Sequence, residues 1–443
     1  MKRLKLAAIG CGARAQTYLS LAAQMPQKYE IVAAADPVPE RVEKIKALAD
    51  NPDFRGYSSA AAILAGDKLA DVMIIATQDR FHFEPCKLAM EKGYDILLEK
   101  PISPDLSEVH QLQKITRQLQ RRVVVCHVLR YTEFYGKVKE IIDSGVLGNI
   151  ITLNASEGVL PWHQAHSYVR GHWANVEKGS PMIVAKSSHD MDIIHWLIGE
   201  RCTAISSFGA LTYFTPENAP AGAPERCTDG CPIGDHCMYN AKLYAGVHRH
   251  EWLSLIYDRA RAASDEEVYQ WLKTGPWGRC VYRCDNTAVD HQVVSMQFKG
   301  NITATFTMTA FEHERHLDIF GTEGILKSGK FYKDQTGADI IVTRHDSGEV
   351  TRYRLDSSDD LNDGHYGGDK GLMTALYDEM NKTDTGEMHT SLSSSVHGHE
   401  MAFAAEKARL ENRVVQLQQM KRSPSSMRII KLSERNRAPK CEY

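Results

Sequence analysis

Residues 6–15 read Leu6-Ala7-Ala8-Ile9-Gly10-Cys11-Gly12-Ala13-Arg14-Ala15, an apolar run that breaks into Gly-x-Gly-x-x-Ala and continues as an amphipathic stretch. This grammar predicts strand, tight turn and helix, the opening of a dinucleotide-binding fold. Gly10 allows the tight turn, Gly12 lets a pyrophosphate approach the backbone, and Ala15 lets helix and strand pack closely. The helix start at Ala13 and Arg14 offers N–H groups and a partial positive charge to phosphates. A second apolar run, Glu30–Ala35, ends in Asp36, near the spacing of a ribose-binding acid. A carboxylate there accepts hydrogen bonds from the adenosine 2′- and 3′-hydroxyls and repels a 2′-phosphate. No basic side chain follows before Arg41, so NAD is expected over NADP.

The rest of the chain bounds the answer. Its 443 residues exceed one compact core and suggest two domains with an insertion. Composition is that of a globular protein, 43% hydrophobic with a net charge of −3, which argues against nucleic acid as a partner. No apolar run approaches the roughly 18 residues of a membrane span. The basic start Met1-Lys2-Arg3 precedes only a short apolar segment that carries the glycine turn, so it reads as the first strand, and the cytoplasm is the expected compartment. Ten cysteines there imply thiols or a metal site rather than disulfides.

Residues 1–126 alternate as βαβ units and read as the NAD-binding domain. Helical patterning covers 16–24, 40–48, 82–91 and 105–120; strands are expected at 71–76, 95–98 and 123–126. This alternation predicts a doubly wound parallel sheet whose ligands sit beyond the C-terminal strand ends, where Thr77, Glu99 and His127 fall. Residues 127–415 read as a second α/β domain built on a large open, mostly antiparallel sheet. Its strands are expected at 150–156, 204–208, 289–298, 302–310, 316–321 and 340–344, and its helices at 371–380 and 396–410. A Cys-, Gly- and Pro-rich insertion spans about 215–286, with a helix near 266–272. Residues 416–443 form a basic tail, read as a mobile end or an arm on a neighbouring subunit.

Leu97-Leu98-Glu99-Lys100-Pro101 ends a parallel strand and aims Lys100 at the cleft. With the N-terminal turn, it resembles the Glu-Lys-Pro signature of the glucose–fructose oxidoreductase and inositol dehydrogenase family (GFO/IDH/MocA). Thr77-Gln78-Asp79-Arg80-Phe81-His82 resembles that family's Thr-Pro-x-x-x-His turn with Gln for Pro, adding Thr77 and His82 to the cofactor side. Gly321-Thr322-Glu323-Gly324 and His365-Tyr366-Gly367-Gly368-Asp369 resemble its Gly-Thr-x-Gly and His-Gly-Gly-Gly-Asp stretches. The similarity covers about residues 4–415, outside the insertion. It implies a Rossmann domain followed by an α/β domain, with one sheet face over the active site and the other serving oligomer contacts, hence a dimer or tetramer. It also implies hydride transfer between NAD and a secondary hydroxyl of a sugar, cyclitol or related polyol.

Family members carry Asp-x-x-x-His at the domain junction, the His as general base and the Asp orienting it. The matching segment here is Val184-Ala185-Lys186-Ser187-Ser188-His189-Asp190-Met191-Asp192: His189 keeps the base position and Ala185 replaces the Asp. Lys100 and His189 are therefore the expected catalytic pair, with Lys186, Asp190 or Asp192 compensating for the lost acid. Residues 162–173 concentrate His163, His166, Tyr168, Arg170 and Trp173, able to stack on and hydrogen-bond a sugar or to plug the domain interface. Arg130, Tyr131, Lys186 and His291 complete the candidate substrate contacts.

Cys227-x3-Cys231-x5-Cys237 and Cys280-x3-Cys284 place five thiols in the insertion. A structural zinc on Cys227, Cys231, Cys237 and Cys284 is the expectation, with an iron–sulfur cluster or plain buried thiols as alternatives. Three functions compete. They are a dehydrogenase, a glycosidase that oxidises, eliminates, hydrates and re-reduces with NAD retained, and an NAD sensor, against which Lys100 counts.

Overall fold

The computed structural model describes residues 2–329, 337–355, 365–382 and 388–420. The opening apolar run forms β1 (Leu4–Ile9), joined by β2 (Tyr29–Ala35), β3 (Arg55–Tyr57), β4 (Val72–Ile75), β5 (Asp95–Leu98) and β6 (Val123–Val125). These strands pair in parallel in the order β3-β2-β1-β4-β5-β6. The order reverses between β1 and β4, which opens a crevice at their C-terminal ends. Helices α1 (Ala13–Ala23), α2 (Pro39–Ala49), α3 (Ala60–Ala65), α4 (Phe83–Glu91) and α5 (Leu106–Leu119) accompany the strands. Val72-Met73-Ile74-Ile75 of β4 is buried throughout, as a central parallel strand covered on both faces must be.

After α6 (Glu133–Asp143) the chain builds the second sheet. Its strands are β7 (Ile150–Gly158), β8 (Cys202–Ala210), β9 (His291–Phe298), β10 (Thr303–Thr309), β11 (Arg315–Gly321), β12 (Gly324–Gly329), β13 (Ile340–Arg344), β14 (Val350–Tyr353) and β15 (Val415–Gln416). They run in the order β14-β13-β12-β11-β7-β10-β9-β8-β15. Only β7 and β10 pair in parallel; the other neighbours are antiparallel. The fold is thus the expected α/β one, a Rossmann sheet followed by an open, mostly antiparallel sheet. Strand alternation sets the two faces: Val294, Met296 and Phe298 of β9 point inward, while Val293, Ser295 and Gln297 face solvent.

The segment between the sheets and the site includes α7 (Pro161–His163), α8 (Met182–Ala185) and α9 (Ser188–Ile198). The insertion is mostly short turns around α10 (Asp265–Thr274), which Ser264 and Glu267 start with a reciprocal capping box. It has its own small core of Trp162, Tyr244, Leu253, Val268, Leu272 and Trp277. Asp258 braces it against the first sheet's α2 through Arg41 at 3.2 Å and Lys44 at 2.9 Å. Two late helices, α11 (Gly368–Asn381) and α12 (Leu392–Glu411), return to the first sheet. Leu372, Met373, Leu376, Tyr377 and Met380 of α11 share a core with Leu6, Tyr18 and Ile31. Among the described residues, no helix is long and apolar enough to cross a membrane. Residues 421–443 of the expected basic tail lie outside the described residues.

Candidate active site

The glycine turn after β1 has the shape of a dinucleotide cradle. Gly10 sits at φ 85°, and a Cβ there would lie 2.7 Å from the Ala76 carbonyl carbon. Gly12 begins α1 without any side-chain cap, and a Cβ on it would meet nothing within 4 Å. The first-turn N–H groups, beginning at Ala13, are therefore left for a ligand in an open approach. Ala15 is fully buried where α1 meets the sheet. Asp36 is locked beside the turn, its carboxylate accepting from Cys11 N at 2.8 Å and Val38 N at 2.9 Å. The remaining lone pairs of that carboxylate suit ribose hydroxyls, so these residues fit NAD.

Four residues expected on the cofactor, Arg14, Glu99, His82 and Thr77, also bond within the protein. Arg14 donates to Glu99 at 2.7 Å, to Asp369 at 2.5 and 3.0 Å, and to Tyr18 at 2.5 Å. Glu99 also accepts from the Tyr18 hydroxyl at 2.6 Å and from Lys100 N at 2.9 Å. Burial raises the Glu99 carboxyl, but Arg14, Lys100 and Tyr18 outweigh it and hold the group below its ordinary value. His82 links two turns, with Nδ1 2.8 Å from Pro101 O and Nε2 3.0 Å from Thr77 O. Thr77 closes its own turn onto Phe81 O at 2.9 Å.

Lys100 leaves β5 and donates from Nζ to the Ala185 carbonyl at 3.1 Å. Burial, helped by Lys186 and Arg14, pulls its pKa below the usual lysine value against Glu99 and Asp79. His189 is 3% exposed, and neither ring nitrogen has a protein partner. Its ring lies 5.6 Å from that of His127 and 5.8 Å from that of His365. Burial and then the Lys100 charge push His189 well below its ordinary pKa, so it is neutral near pH 7.

The acids expected to assist His189 are engaged elsewhere. Asp192 pairs with both ends of the Arg130 guanidinium at 2.7 and 2.6 Å. Asp190 meets Arg315 at 3.3 Å, and Lys186 meets Glu157 at 2.9 Å. Glu157 and Arg315 are opposed on β7 and β11 and ion-paired, so the inner face of the second sheet carries a charged patch over the site. Helix geometry turns these acids toward other cations, Asp192 to Arg130 and Asp190 to Arg315.

The remaining substrate candidates divide. The charges of Lys186, Lys100 and His365 all bear on His163, which burial already pushes well below its ordinary pKa. Tyr168 is buried against Trp173, with ring centroids 5.8 Å apart, and burial followed by Asp79, Glu157 and Asp190 drives its hydroxyl pKa up. Trp173 donates from Nε1 to Asp79 at 2.9 Å. His163 thus faces Lys100 and Lys186, and Asp79, which Trp173 bonds, also bears on Lys100. The other candidates make the following contacts within the protein. Arg130 is committed to Asp192, and Tyr131 bonds Thr390 at 2.8 Å. His166 bonds the Tyr244 hydroxyl at 2.6 Å, and Arg170 bonds Tyr239 O at 2.6 Å, both within the insertion. His291 shares the solvent-facing parity of Val293 on β9 and pairs with Asp290 at 2.8 Å.

The zinc expectation is also corrected. Cys227, Cys231, Cys237 and Cys280 line one small cavity with Tyr239 and Val281, and all are free thiols. Cys284, expected as a ligand, directs Sγ to Cys280 O at 3.3 Å. The Arg170 guanidinium lies 3.6 Å from Cys227 Sγ, a charge that opposes a cation there. Among the described residues, no three His, Cys, Asp or Glu side chains are arranged to hold a metal.

Sequence reasoning did not single out as site residues Asp79, Glu157, Arg315 or the pair His365–Asp369, which the fold brings near the candidate residues. The i,i+4 spacing of that last pair at a helix start was a readable signal for a carboxylate-held imidazole. Glu157 and Arg315 gave none, because strand pairing brings them together across a long sequence separation.

Residues 4–127 match an oxidoreductase family described by its NAD-binding Rossmann fold, and residues 135–327 match the GFO/IDH/MocA C-terminal domain. Dehydrogenase aclE of Aspergillus oryzae is 27% identical over 378 residues, 80% of this chain and 100% of that protein. Inositol 2-dehydrogenase of Streptomyces avermitilis is 27% identical over 205 residues, 46% of this chain and 55% of that protein. An oxidoreductase from Agrobacterium radiobacter, solved with NAD+, L-tartaric acid and magnesium, superposes with a TM-score of 0.68 at 15% identity, covering 95% of this chain and 100% of that one. Scyllo-inositol dehydrogenase from Lactobacillus casei, solved with NAD(H) and scyllo-inositol, gives 0.62 at 16% identity over 94% and 100% of the two chains. At such identities the superpositions report a shared fold.

Proposed function

This chain belongs to the GFO/IDH/MocA family of NAD-binding oxidoreductases, and we propose that it oxidises a secondary hydroxyl of a sugar, cyclitol or related polyol. The observation that carries this reading is Lys100 beside neutral imidazoles at the C-terminal end of β5, the edge where the glycine turn and Asp36 form the cradle. NAD bound in that cradle supplies the hydride acceptor. The Asp36 carboxylate favours the unphosphorylated ribose.

Lys100 donates a hydrogen bond to the substrate oxygen and stabilises charge as its proton leaves. Burial lowers its pKa below the usual lysine value, which eases proton exchange with the substrate oxygen. His189, with both ring nitrogens unclaimed by protein, hydrogen-bonds the same carbinol. His163, Tyr168 and Trp173 form an aromatic wall suited to the apolar face of a ring, and Lys186 with Glu157 suits its hydroxyls. The names of inositol dehydrogenases among the relatives support a cyclic polyol. The outer sheet face, with exposed Phe208 next to Val293, supports a homo-oligomer.

The test is NADH absorbance over a panel of inositols, free sugars and glycosides, with aglycone release followed in parallel. Stoichiometric NADH on a free polyol is the expected result. Aglycone release without net NADH would replace this reading by the redox-neutral glycosidase. NAD binding without turnover on any member would remove the proposed substrate class.

A further inference from the structure

His189 and His365 lie side by side, but only His365 carries a carboxylate. Its Nδ1 is 3.0 Å from Asp369 Oδ2, four residues on at the start of α11. Asp369 is itself held by Arg14, whose guanidinium also bonds Glu99. We propose that His365, oriented and polarised by Asp369, is the proton acceptor of the reaction, in place of His189. The inference rests on the carbinol oxidation proposed above and assigns its base.

The contrast is electrostatic. A proton placed on His189 would create a buried imidazolium facing Lys100 and Arg315 with no carboxylate bonded to it. Such an uncompensated charge is costly. A proton on His365 would be hydrogen-bonded to the Asp369 carboxylate, a counter-charge that His189 lacks and that faces the Arg14 and Lys186 cations bearing on the ring. Despite its own burial, Asp369 is held far below the usual carboxylate range by Arg14 and His365, so it is ionised. Burial and Arg14 lower the His365 pKa against Asp369, so the ring starts neutral, as an acceptor must.

The tautomer follows from the same contacts. Asp369 is ionised and can only accept, so at 3.0 Å from its Oδ2 the His365 Nδ1 must carry the hydrogen, and Arg14 Nη1, 3.3 Å from Nδ1, donates to that same oxygen at 3.0 Å. Nδ1–H therefore donates to Asp369 and Nε2 carries the lone pair. The backbone fixes the ring's position: Gly367 sits at φ 81°, and a Cβ on Gly368 would lie 2.5 Å from Val128 O. In the step, the carbinol O–H proton passes to His365 Nε2 and the C=O bond forms as the carbinol C–H leaves with its electron pair. That hydride reduces the bound NAD+, leaving an imidazolium against Asp369. His189 stays a neutral hydrogen-bonding partner, and Asp369 is a positioning residue.

The full chain labelled with 15N-histidine, with NAD+ bound at pH 7, tests the base directly. His365→Gln identifies the ring resonances by their loss, and Asp369→Asn identifies them again by their shift. The expected result is a neutral Nδ1–H ring in the unmodified protein and a shift toward the Nε2–H form in Asp369→Asn. An Nε2–H ring or an imidazolium in the unmodified protein would overturn the inference. With an inositol that is turned over, His365→Gln should lower kcat by at least about a hundredfold and leave KM within about threefold, whereas His189→Gln should cost less than about tenfold. The opposite ranking would return the base to His189. Absence of turnover in the unmodified protein would remove the polyol reading, and the ring tautomer then decides the assignment by itself.

Discussion

The Lys100 ammonium lies 3.1 Å from the Ala185 carbonyl, so the backbone at Ala185 accepts a hydrogen bond from the cleft lysine. This is the position where the family's orienting Asp would stand, and a peptide dipole there leaves Lys100 with less counter-charge. Lys100→Met keeps length and packing while removing the donor. Turnover on an active polyol should fall by at least about a hundredfold, the scale of a lost acid–base group. The NAD Kd, read by calorimetry, should move less than about threefold, because the glycine turn and Asp36 are untouched. Retention of near-full activity would remove Lys100 from the chemistry.

Gly10→Ala tests the cradle. The left-handed backbone at φ 85° costs a non-glycine residue about 1–2 kcal/mol. The added Cβ also meets backbone atoms of Ala76 and Thr77 at 2.7 Å, which cannot swing aside as a side chain would. Thermal unfolding should drop by about 5 °C or more, and NAD binding should weaken with it. An unchanged Tm would contradict the close approach of the two strand ends.

Local grammar carried the first sheet almost to the residue. Strand, Gly turn and helix are signals of short range, and β1, α1, β4, β5 and α5 fall within a few residues of their expected bounds. Period-two alternation likewise revealed β7 to β11, while the short β3, β14 and β15 carried too little pattern. Lys100 and His189 were marked as candidates by a strand end and a family register. For Arg130, His166, Arg170 and His291 side-chain type alone says nothing about which way a residue faces or which partner it takes. His291 is settled by strand parity, and Arg130 by Asp192 one helix away. Four of the cysteines share one cavity, but among the described residues none are arranged to hold a metal, which only three-dimensional placement decides.

Cofactor choice should depend on two acids. Asp36 is the acid expected to repel a 2′-phosphate, and Asp258 occupies Arg41, the nearest following cation. Asp36→Ala should narrow the NAD-over-NADP preference measured by calorimetry. Adding Asp258→Ala should narrow it further by freeing Arg41 and Lys44. The pair is about one-third exposed, so its own contribution to stability should stay below about 1 kcal/mol. Preference for NADP by the unmodified chain would reverse the ribose assignment.

His399 makes the turn after Lys100 sensitive to acid. The ring is fully buried, donates from Nδ1 to Ser395 O at 3.1 Å and accepts at Nε2 from Ile102 N at 3.0 Å. Protonation would destroy the acceptor that holds Ile102, two residues beyond Lys100. Burial and the nearby His127 and Lys100 charges, against Ser395 and Asp192, pull its pKa down to about 3. His127 and His195 are likewise pulled down to about 4, each chiefly by burial. An unfolded histidine titrates near 6.5. Between those values the unfolded chain binds protons that the native protein refuses, so stability falls as pH falls from about 6.5 toward 4. Calorimetric Tm should be flat above pH 7 and decline through that window. His399→Leu leaves Ile102 N without an acceptor, at a cost of about 1–3 kcal/mol, so its Tm should be lower at pH 7.5. The same variant should show a shallower decline between pH 6.5 and 4, since one refused proton has been removed. A decline as steep as that of the unmodified protein would mean that His399 contributes nothing to acid sensitivity.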